Sequence, residues 1–409
     1  MTATNREFDL VLLGATGFTG RLVAEHLTTA AARDGVRWAV AGRNENKLDD
    51  VMRSIDAEDV PKLIVDSEDA DSVSGLARRA SVICTTVGPY SLYGSALVAA
   101  CAREGTHYCD LAGEVHWIAR MIEVHHDSAV ASGARIVHCC GFDSVPSDLG
   151  VWFLQREAKA RFGAPMQKVS YRLKAARGTA SGGTVASLMQ VIEAARGDRD
   201  VARTVRHPYS FNPAALRTGP DRPEPMWPSY DDDFQSWTAP FVMGAINTKV
   251  VRRTNAILGS YYGEEFRYSE AVLTGGGLTG QAKAMAMASG LNALMIGAAI
   301  KPTRYLLNKF VLPSPGQGPG EHQRNNGFFN IALYGANFVD QSIQAVVTAD
   351  RDPGYGATSR MLGEAALALV ENSQEHFKGG GVLTPAAALG DNYIERLEKH
   401  AGMTFWIKE

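Results

Sequence analysis

Phe8-Asp-Leu-Val-Leu-Leu-Gly14-Ala-Thr-Gly17-Phe-Thr-Gly20-Arg-Leu-Val-Ala-Glu-His-Leu27 is the stretch from which the rest of the chain is read. A short apolar run ends in three glycines, each separated by two residues, and then takes up a helical period. This predicts a strand, a tight turn and the start of a helix. Gly14, Gly17 and Gly20 let backbone approach backbone, and a helix start offers free N–H groups. Residues Gly14, Thr16, Gly17, Phe18, Thr19 and Gly20 are therefore expected to hold the pyrophosphate of a dinucleotide, although Ala15 stands where the usual fingerprint has its second glycine.

Outward from this unit, strands and helices alternate. Arg37–Gly42, Lys62–Asp66, Ser81–Thr86, Thr106–Asp110 and Ala134–Cys139 read as five further strands, with helical patterns near 44–55, 69–79, 92–104 and 113–132. Six strands with helical crossovers predict a doubly wound parallel sheet over residues 1–148, with ligands at the carboxyl ends of its strands.

Those strand ends carry the next expectations. Strand two ends in Ala41-Gly42-Arg43-Asn44, with Lys47 one turn on and no carboxylate to repel a 2′-phosphate. Arg43 can pair with such a phosphate in a fork, which favours NADP(H) over NAD(H). Asp66 either faces the adenine or caps a helix. Val87, Gly88 and Pro89 are placed along the nicotinamide ribose, with Tyr90 and Tyr93 near the reacting end. After strand six, Ser147 or Asp148 reads as the cap of a helix over about 149–161. Asp143 and Ser144 fall evenly between site and structure.

A chain of 409 residues predicts more than one domain. Residues 149–350 carry alternating stretches at Val169–Ala175, Glu265–Val272, Phe328–Leu333 and Ser342–Val347, which predict a half-exposed antiparallel sheet. Ser181, Gly182, Gly183 and Thr184 open a helix and form a second start suited to an anion, or a plain cap. From His207 to Pro240, 7 of the 17 prolines fall in what reads as a long irregular loop. Residues 351–409 read as terminal helices, with packing against the first domain left open.

Composition bounds the function. A formal net charge of −3 favours neither nucleic acid nor a membrane surface in bulk. The first residues are polar, so no secretory signal is expected. The five cysteines contain no C-x-x-C pair and read as reduced thiols, with no metal site; Cys139 and Cys140 are expected on opposite faces of a strand. Ala284–Ile300 has no charge over 17 residues, which suits a buried or interfacial helix better than a spanning one.

Gly14-Ala-Thr-Gly-Phe-Thr-Gly20, Thr86-Val-Gly-Pro-Tyr90, Cys140-Gly-Phe-Asp-Ser-Val-Pro-Ser-Asp148, Ser181-Gly-Gly-Thr184, Asp352-Pro-Gly-Tyr355 and Gly381-Val-Leu-Thr-Pro385 occur in this order. Together they resemble the saccharopine-dehydrogenase-like oxidoreductases, most closely their trans-acting enoyl reductase subfamily. The resemblance implies an NADP-binding Rossmann domain and a mixed α/β second domain. It also implies reduction of a carbon–carbon double bond on a carrier-bound polyketide or fatty acyl chain. Such a reaction needs a donor at the thioester oxygen and a proton for the α-carbon. Tyr90 is the first candidate, followed by Tyr93 and Ser144, with Asp143 and residues 181–184 toward substrate. A cytoplasmic enzyme is expected, with an acyl thioester or an acyl carrier protein as partner. The carrier would meet Lys301, Arg304 and Lys309. A lipid contact through 284–300 and a homodimer are further candidates. The alternatives are an amino-acid-forming reductase using Arg172, Arg177, Arg252, Arg253 and Arg267, and a non-catalytic NADP-binding scaffold.

Overall fold

β1 (Phe8–Leu13) is buried at every position except Asp9, as a strand covered on both faces must be. In the computed structural model, which describes residues 6–178, 182–300, 303, 318–371 and 379–409, it lies inside a seven-stranded sheet. Its neighbours are β2 (Trp38–Gly42) and β4 (Ala80–Thr85), both parallel. With β3 (Lys62–Ile64), β5 (His107–Cys109), β6 (Arg135–Val137) and β13 (Gly381–Leu383), the order is β13-β6-β5-β4-β1-β2-β3. All recorded pairings in this sheet are parallel. The order reverses between β1 and β4, so a crevice opens at their carboxyl ends.

The crossovers are α1 (Phe18–Asp34), α2 (Glu45–Arg53), α3 (Ala70–Arg79), α4 (Tyr90–Tyr93), α5 (Ser95–Glu104) and α6 (Val115–Ser132). The next helix, α7 (Val145–Phe162), starts earlier than its sequence suggests. Ser147 and Asp148 are not caps: both are fully buried within its first turn. Asp148 instead accepts hydrogen bonds from the Thr254 hydroxyl at 2.5 Å and the Ala386 N–H at 2.7 Å. Cys139 and Cys140 do not sit on a strand either. β6 ends at Val137, and Cys139 turns to a φ of +65° with its N–H on the Asp110 carboxylate. All five cysteines are buried and unpaired by disulfides.

The second sheet runs β14-β12-β11-β7-β10-β9-β8. Its strands are β7 (Lys168–Arg177), β8 (Ser229–Asp231), β9 (Ser236–Pro240), β10 (Arg267–Gly275), β11 (Phe328–Ala336), β12 (Ser342–Ala349) and β14 (Met403–Lys408). It is mixed, because β7 and β10 pair in parallel. The other pairings given for this sheet are antiparallel, so the antiparallel-rich expectation holds; alternation reports a buried face and not strand direction, which is why the parallel β7–β10 pair was not legible. The proline-rich stretch is more ordered than its composition predicts, since β8 and β9 lie inside it and pair.

The remaining helices are α8 (Gly182–Gly197), α9 (Arg199–Arg206), α10 (Gly244–Ile257), α11 (Gly277–Ala299), α12 (Glu321–Asn325), α13 (Thr358–Glu371) and α14 (Pro385–His400). Residues 381–408 add one strand to each sheet, β13 to the first and β14 to the second. An ion-pair cluster holds α13 and α14 against α1. The buried Glu364 carboxylate meets His26 at 2.8 Å, Arg33 at 3.3 Å and Arg396 at 2.7 Å, and Arg396 also pairs with Asp34 and Glu371. Among the described residues, no helix is long and apolar enough to cross a membrane.

Candidate dinucleotide cleft and adjoining apolar cavity

The glycine turn is built by contact distances. Gly14 leaves β1 at φ +100°, and a side chain there would strike Thr86 Oγ1 and Val87 Cγ2, each 2.8 Å from an added Cβ. At Gly20 an added Cβ would fall 2.0 Å from the Gly14 carbonyl oxygen. Gly17 is different: its Cβ would meet only that oxygen, at 3.5 Å. Gly14 and Gly20 thus serve packing of helix on strand, while Gly17 caps α1 and borders the cleft. No side chain caps α1, so its first N–H groups point into the cleft with the positive end of the helix dipole.

This cleft of about 380 Å³ runs from Gly17–Gly20 past Gly88–Tyr90 to Gly141–Asp143 and is closed by Pro353–Tyr355 and the start of α8. The Phe18 ring meets the Tyr355 ring edge-on at 4.9 Å, and the Gly182 N–H donates to Tyr355 Oη at 2.9 Å. Asp352 holds this closing turn by accepting the Tyr355 N–H at 2.8 Å. Sequence reasoning singled out 352–355 but assigned it no role, because a return of more than 300 residues to α1 leaves no local signal.

The adenosine-side residues lie beyond the cleft lining. Arg43, Lys47 and Asp66 are exposed at the ends of β2 and β3, where a ribose 2′-phosphate would reach. Arg43 makes only a loose contact with Glu68, at 3.5 Å and open to solvent. Asp66 caps no helix, since Asp69 caps α3; its carboxylate accepts the Glu68 N–H at 3.0 Å. Thr16 is exposed on the turn, and the Val87 N–H is held by Thr85 Oγ1 at 3.2 Å. A phosphate cradle, a switch-point crevice and an exposed guanidinium at the end of β2 fit NADP(H).

The expected proton donors fare differently. Tyr90 borders the cleft, but its hydroxyl donates to the Thr85 carbonyl at 3.2 Å and accepts the Leu111 N–H at 3.1 Å. Burial pushes its pKa well above the ordinary phenol value, and its ring stacks on Trp117. The Tyr90 and Ser91 N–H groups donate to the Glu114 carboxylate at 2.8 and 2.6 Å, and Ser187 Oγ donates to it at 3.1 Å. Tyr93 ends α4 outside the cleft lining. Ser144 is fully buried, and its hydroxyl donates to Asn247 Oδ1 at 3.1 Å, away from the cleft. Gly182 and Gly183 do border the cleft, whereas Ser181, the Thr184 side chain and Lys301, Arg304 and Lys309 lie outside the described residues.

A second cavity, of about 390 Å³, opens from the same place. Leu188, Val191 and Ile192 of α8, Leu291 and Met295 of α11, and Phe241 with Ile246 make it apolar. It shares Leu111, Asp143 and Ser187 with the cleft, so the two spaces are confluent. Three carboxyls reach it: Asp143, Glu224 and Glu270. Burial raises the pKa of Glu270 to about 7, even though the Tyr268 hydroxyl and the Asn247 amide donate to it at 2.7 and 2.9 Å. Burial also raises that of Glu224, against the pull of Arg252 at 3.0 Å.

The five arginines considered for a tricarboxylate do not converge here. Arg172 pairs with Asp231 at 2.5 Å, Arg252 with Asp221 at 2.7 Å, and Arg253 donates to the Val382 carbonyl at 2.6 Å. Arg177 and Arg267 are exposed, and none of the five borders either space.

Comparison with known proteins agrees with this geometry. Residues 10–137 match the model of the saccharopine dehydrogenase NADP-binding domain. A Mycobacterium tuberculosis protein is 40% identical over 408 residues, covering 97% of both chains. The trans-acting enoyl reductases of Mycobacterium ulcerans and Mycobacterium leprae are 37% and 35% identical, again over 97% of both chains. The L-Glu-forming saccharopine dehydrogenase of Saccharomyces cerevisiae shares the fold, with a TM-score of 0.54 and 11% identity, covering 98% of this chain and 100% of that one. The chain belongs to the trans-acting enoyl reductase family, NADP-dependent oxidoreductases with the saccharopine dehydrogenase fold.

Proposed function

We propose that this protein reduces the carbon–carbon double bond of an enoyl thioester whose acyl chain lies in the apolar cavity, in the making of a lipid or polyketide. The observation that carries the reading is the confluence of cleft and cavity at Leu111, Asp143 and Ser187. An apolar space of about 390 Å³ suits a hydrocarbon chain and would leave the charges of an amino-acid substrate unpaired. When bound, NADPH supplies a hydride for the β-carbon. The α1 start holds its pyrophosphate, Arg43 its 2′-phosphate, and the Gly88–Tyr90 segment backs its reacting end. The walls contributed by α8 and α11 orient the acyl chain and exclude water from it.

In this reading the chain enters beside the end of α11, where Leu291, Met295 and Ala299 line the cavity and Ile296 is 63% exposed. An acyl carrier protein is the donor that this reading places at that mouth, with a lipid surface as the competing occupant. Five unpaired thiols support a reducing, cytoplasmic compartment.

The test is NADPH oxidation with trans-2-enoyl thioesters of increasing length, offered on coenzyme A and on a carrier protein. The expected result is a kcat/KM that climbs with chain length until the cavity is full. Turnover of an amino acid plus aldehyde pair, with none of any enoyl thioester, would overturn the reading. NADPH binding without turnover of either would favour a scaffold.

A further inference from the structure

We infer that the Asp143 carboxyl is the catalytic acid that protonates the α-carbon of the enoyl thioester, an assignment that rests on the reading above. The reacting double bond has to lie where the cofactor's end of the cleft meets the acyl cavity. Leu111, Asp143 and Ser187 are the residues that border both spaces. Leucine has no proton to give, and the Ser187 hydroxyl donates to Glu114 Oε1 at 3.1 Å. Asp143 is the titratable group left at the junction.

Its surroundings separate it from the other carboxyls of this region. The Asp110 carboxylate is engaged by the Tyr108 hydroxyl at 2.8 Å and His138 Nδ1 at 2.7 Å, and Glu114 by two backbone N–H groups and a hydroxyl. Asp148 holds Thr254 and Ala386. Asp143 has no hydrogen bond or ion pair among the described residues. One oxygen, Oδ2, faces Gly113, where even an added Cβ would stay 3.9 Å away. Cys139 shares the cleft lining with it, and Glu224 and Glu270 share the cavity lining, along which Arg196 and Arg206 are exposed.

A half-buried carboxyl with no donor loses hydration that its charged form needs, which favours the protonated form. Burial accordingly raises the pKa of Asp143 to about 6. The charge left after proton transfer is eased by position, because Asp143 directly precedes Ser144, the N-cap of α7, at the positive end of that helix. The other acids near the junction are engaged elsewhere. The Tyr90 hydroxyl is spent on Thr85 and Leu111, and Cys139 Sγ lies 3.0 Å from the Ala112 carbonyl with its pKa raised well above the thiol range.

When bound, NADPH would supply the β-carbon with a hydride, one hydrogen together with its electron pair, and become NADP+. The α-carbon takes the Asp143 proton, and solvent returns a proton to the carboxylate through the cleft.

The test compares wild type with Asp143→Asn and Asp143→Glu, using a trans-2-enoyl thioester in H2O and in D2O. For Asp143→Asn, kcat should fall about 100-fold or more, the contribution usual for a general acid. Its NADPH dissociation constant, read by fluorescence, should stay within about twofold. Wild-type kcat should decline as pH rises through 6–7, and the Asn variant should lose that limb. Deuterium delivered to the α-carbon in D2O should be stereospecific in wild type and scrambled in the Asn variant. Asp143→Glu should recover part of the turnover.

An active wild type whose Asn variant keeps its kcat, pH limb and stereospecificity overturns the role of Asp143 alone. So does an Asn variant that loses NADPH affinity in step with kcat. A wild type that reduces no enoyl thioester overturns the substrate reading and this assignment together.

Discussion

Substituting Gly20 by alanine is the sharpest perturbation of the cofactor turn. The added Cβ would lie 2.0 Å from the Gly14 carbonyl oxygen and 2.7 Å from Thr86 Oγ1, where ordinary contact begins at 3.4 Å. The oxygen belongs to backbone, so no rotamer relieves the clash, and the first turn of α1 must lift away from β1 by about 1.4 Å. Overpacking of this kind costs about 1–3 kcal/mol. Each kcal/mol lowers Tm by about 2–4 °C in a domain of ordinary size. The displaced turn also carries the N–H groups proposed to hold the pyrophosphate. Losing one charge-assisted hydrogen bond costs about 1.5–3 kcal/mol, which raises Kd for NADPH roughly 10- to 150-fold. Gly17→Ala is the control: its Cβ sits at 3.5 Å, so Tm should hold while the methyl intrudes on the cleft and weakens NADPH binding. Thermal unfolding and NADPH fluorescence titration read the two quantities separately. A Gly20→Ala protein with wild-type Tm and wild-type Kd would refute the packing role given to that residue.

Arg43→Ala should raise KM for NADPH about tenfold, the share expected of an exposed charge-assisted pair, and leave KM for NADH within about twofold; equal shifts for both cofactors would remove Arg43 from the 2′-phosphate site. Asp148 gives a pH signature of stability. Its folded pKa is raised from 3.8 to about 7, so the folded protein binds more protons than the unfolded chain between those values. Stability from this group is therefore full below about pH 4 and is lost as pH rises to about 7. Between pH 5 and pH 8, urea unfolding of Asp148→Asn should gain on wild type by up to about 2–3 kcal/mol, and parallel profiles would show that the carboxyl does not titrate in the fold.

The first sheet was legible because its signals are local: an apolar run, three glycines and helical spacing lie within the 20 residues from Phe8 to Leu27. What escaped depends on distant partners. Gly381–Leu383 is only 3 residues long, too short to read as a strand, and exists because β6 offers it an edge. Asp148 looks like a cap by position, yet its partners come from residues 254 and 386. Tyr90 looks like a proton donor by residue type, and the backbone of Thr85 and Leu111 consumes its hydroxyl. Of the candidate site, the cofactor half follows from strand ends and could be placed by spacing. The apolar cavity is assembled from α8, α10, α11 and the end of β9, and no linear pattern links them.

The strand donated by residues 381–383 also sets a schedule for biosynthesis. β6 is complete at Val137, but its outer partner begins 244 residues later, at Gly381. At ordinary translation speeds that edge stays open for roughly 10–50 s on the ribosome. An open edge of a parallel sheet is a template for pairing with other nascent chains. β6 carries Arg135, a charge that guards such an edge while it waits. Once the last residues arrive, the Ala388 and Leu369 carbonyls take the guanidinium at 3.1 and 3.4 Å, and the guard becomes a fully buried tie. A chain halted before residue 381 would leave both sheets with a bare edge, at β6 and at β12, and should be held by chaperones or lost to aggregation.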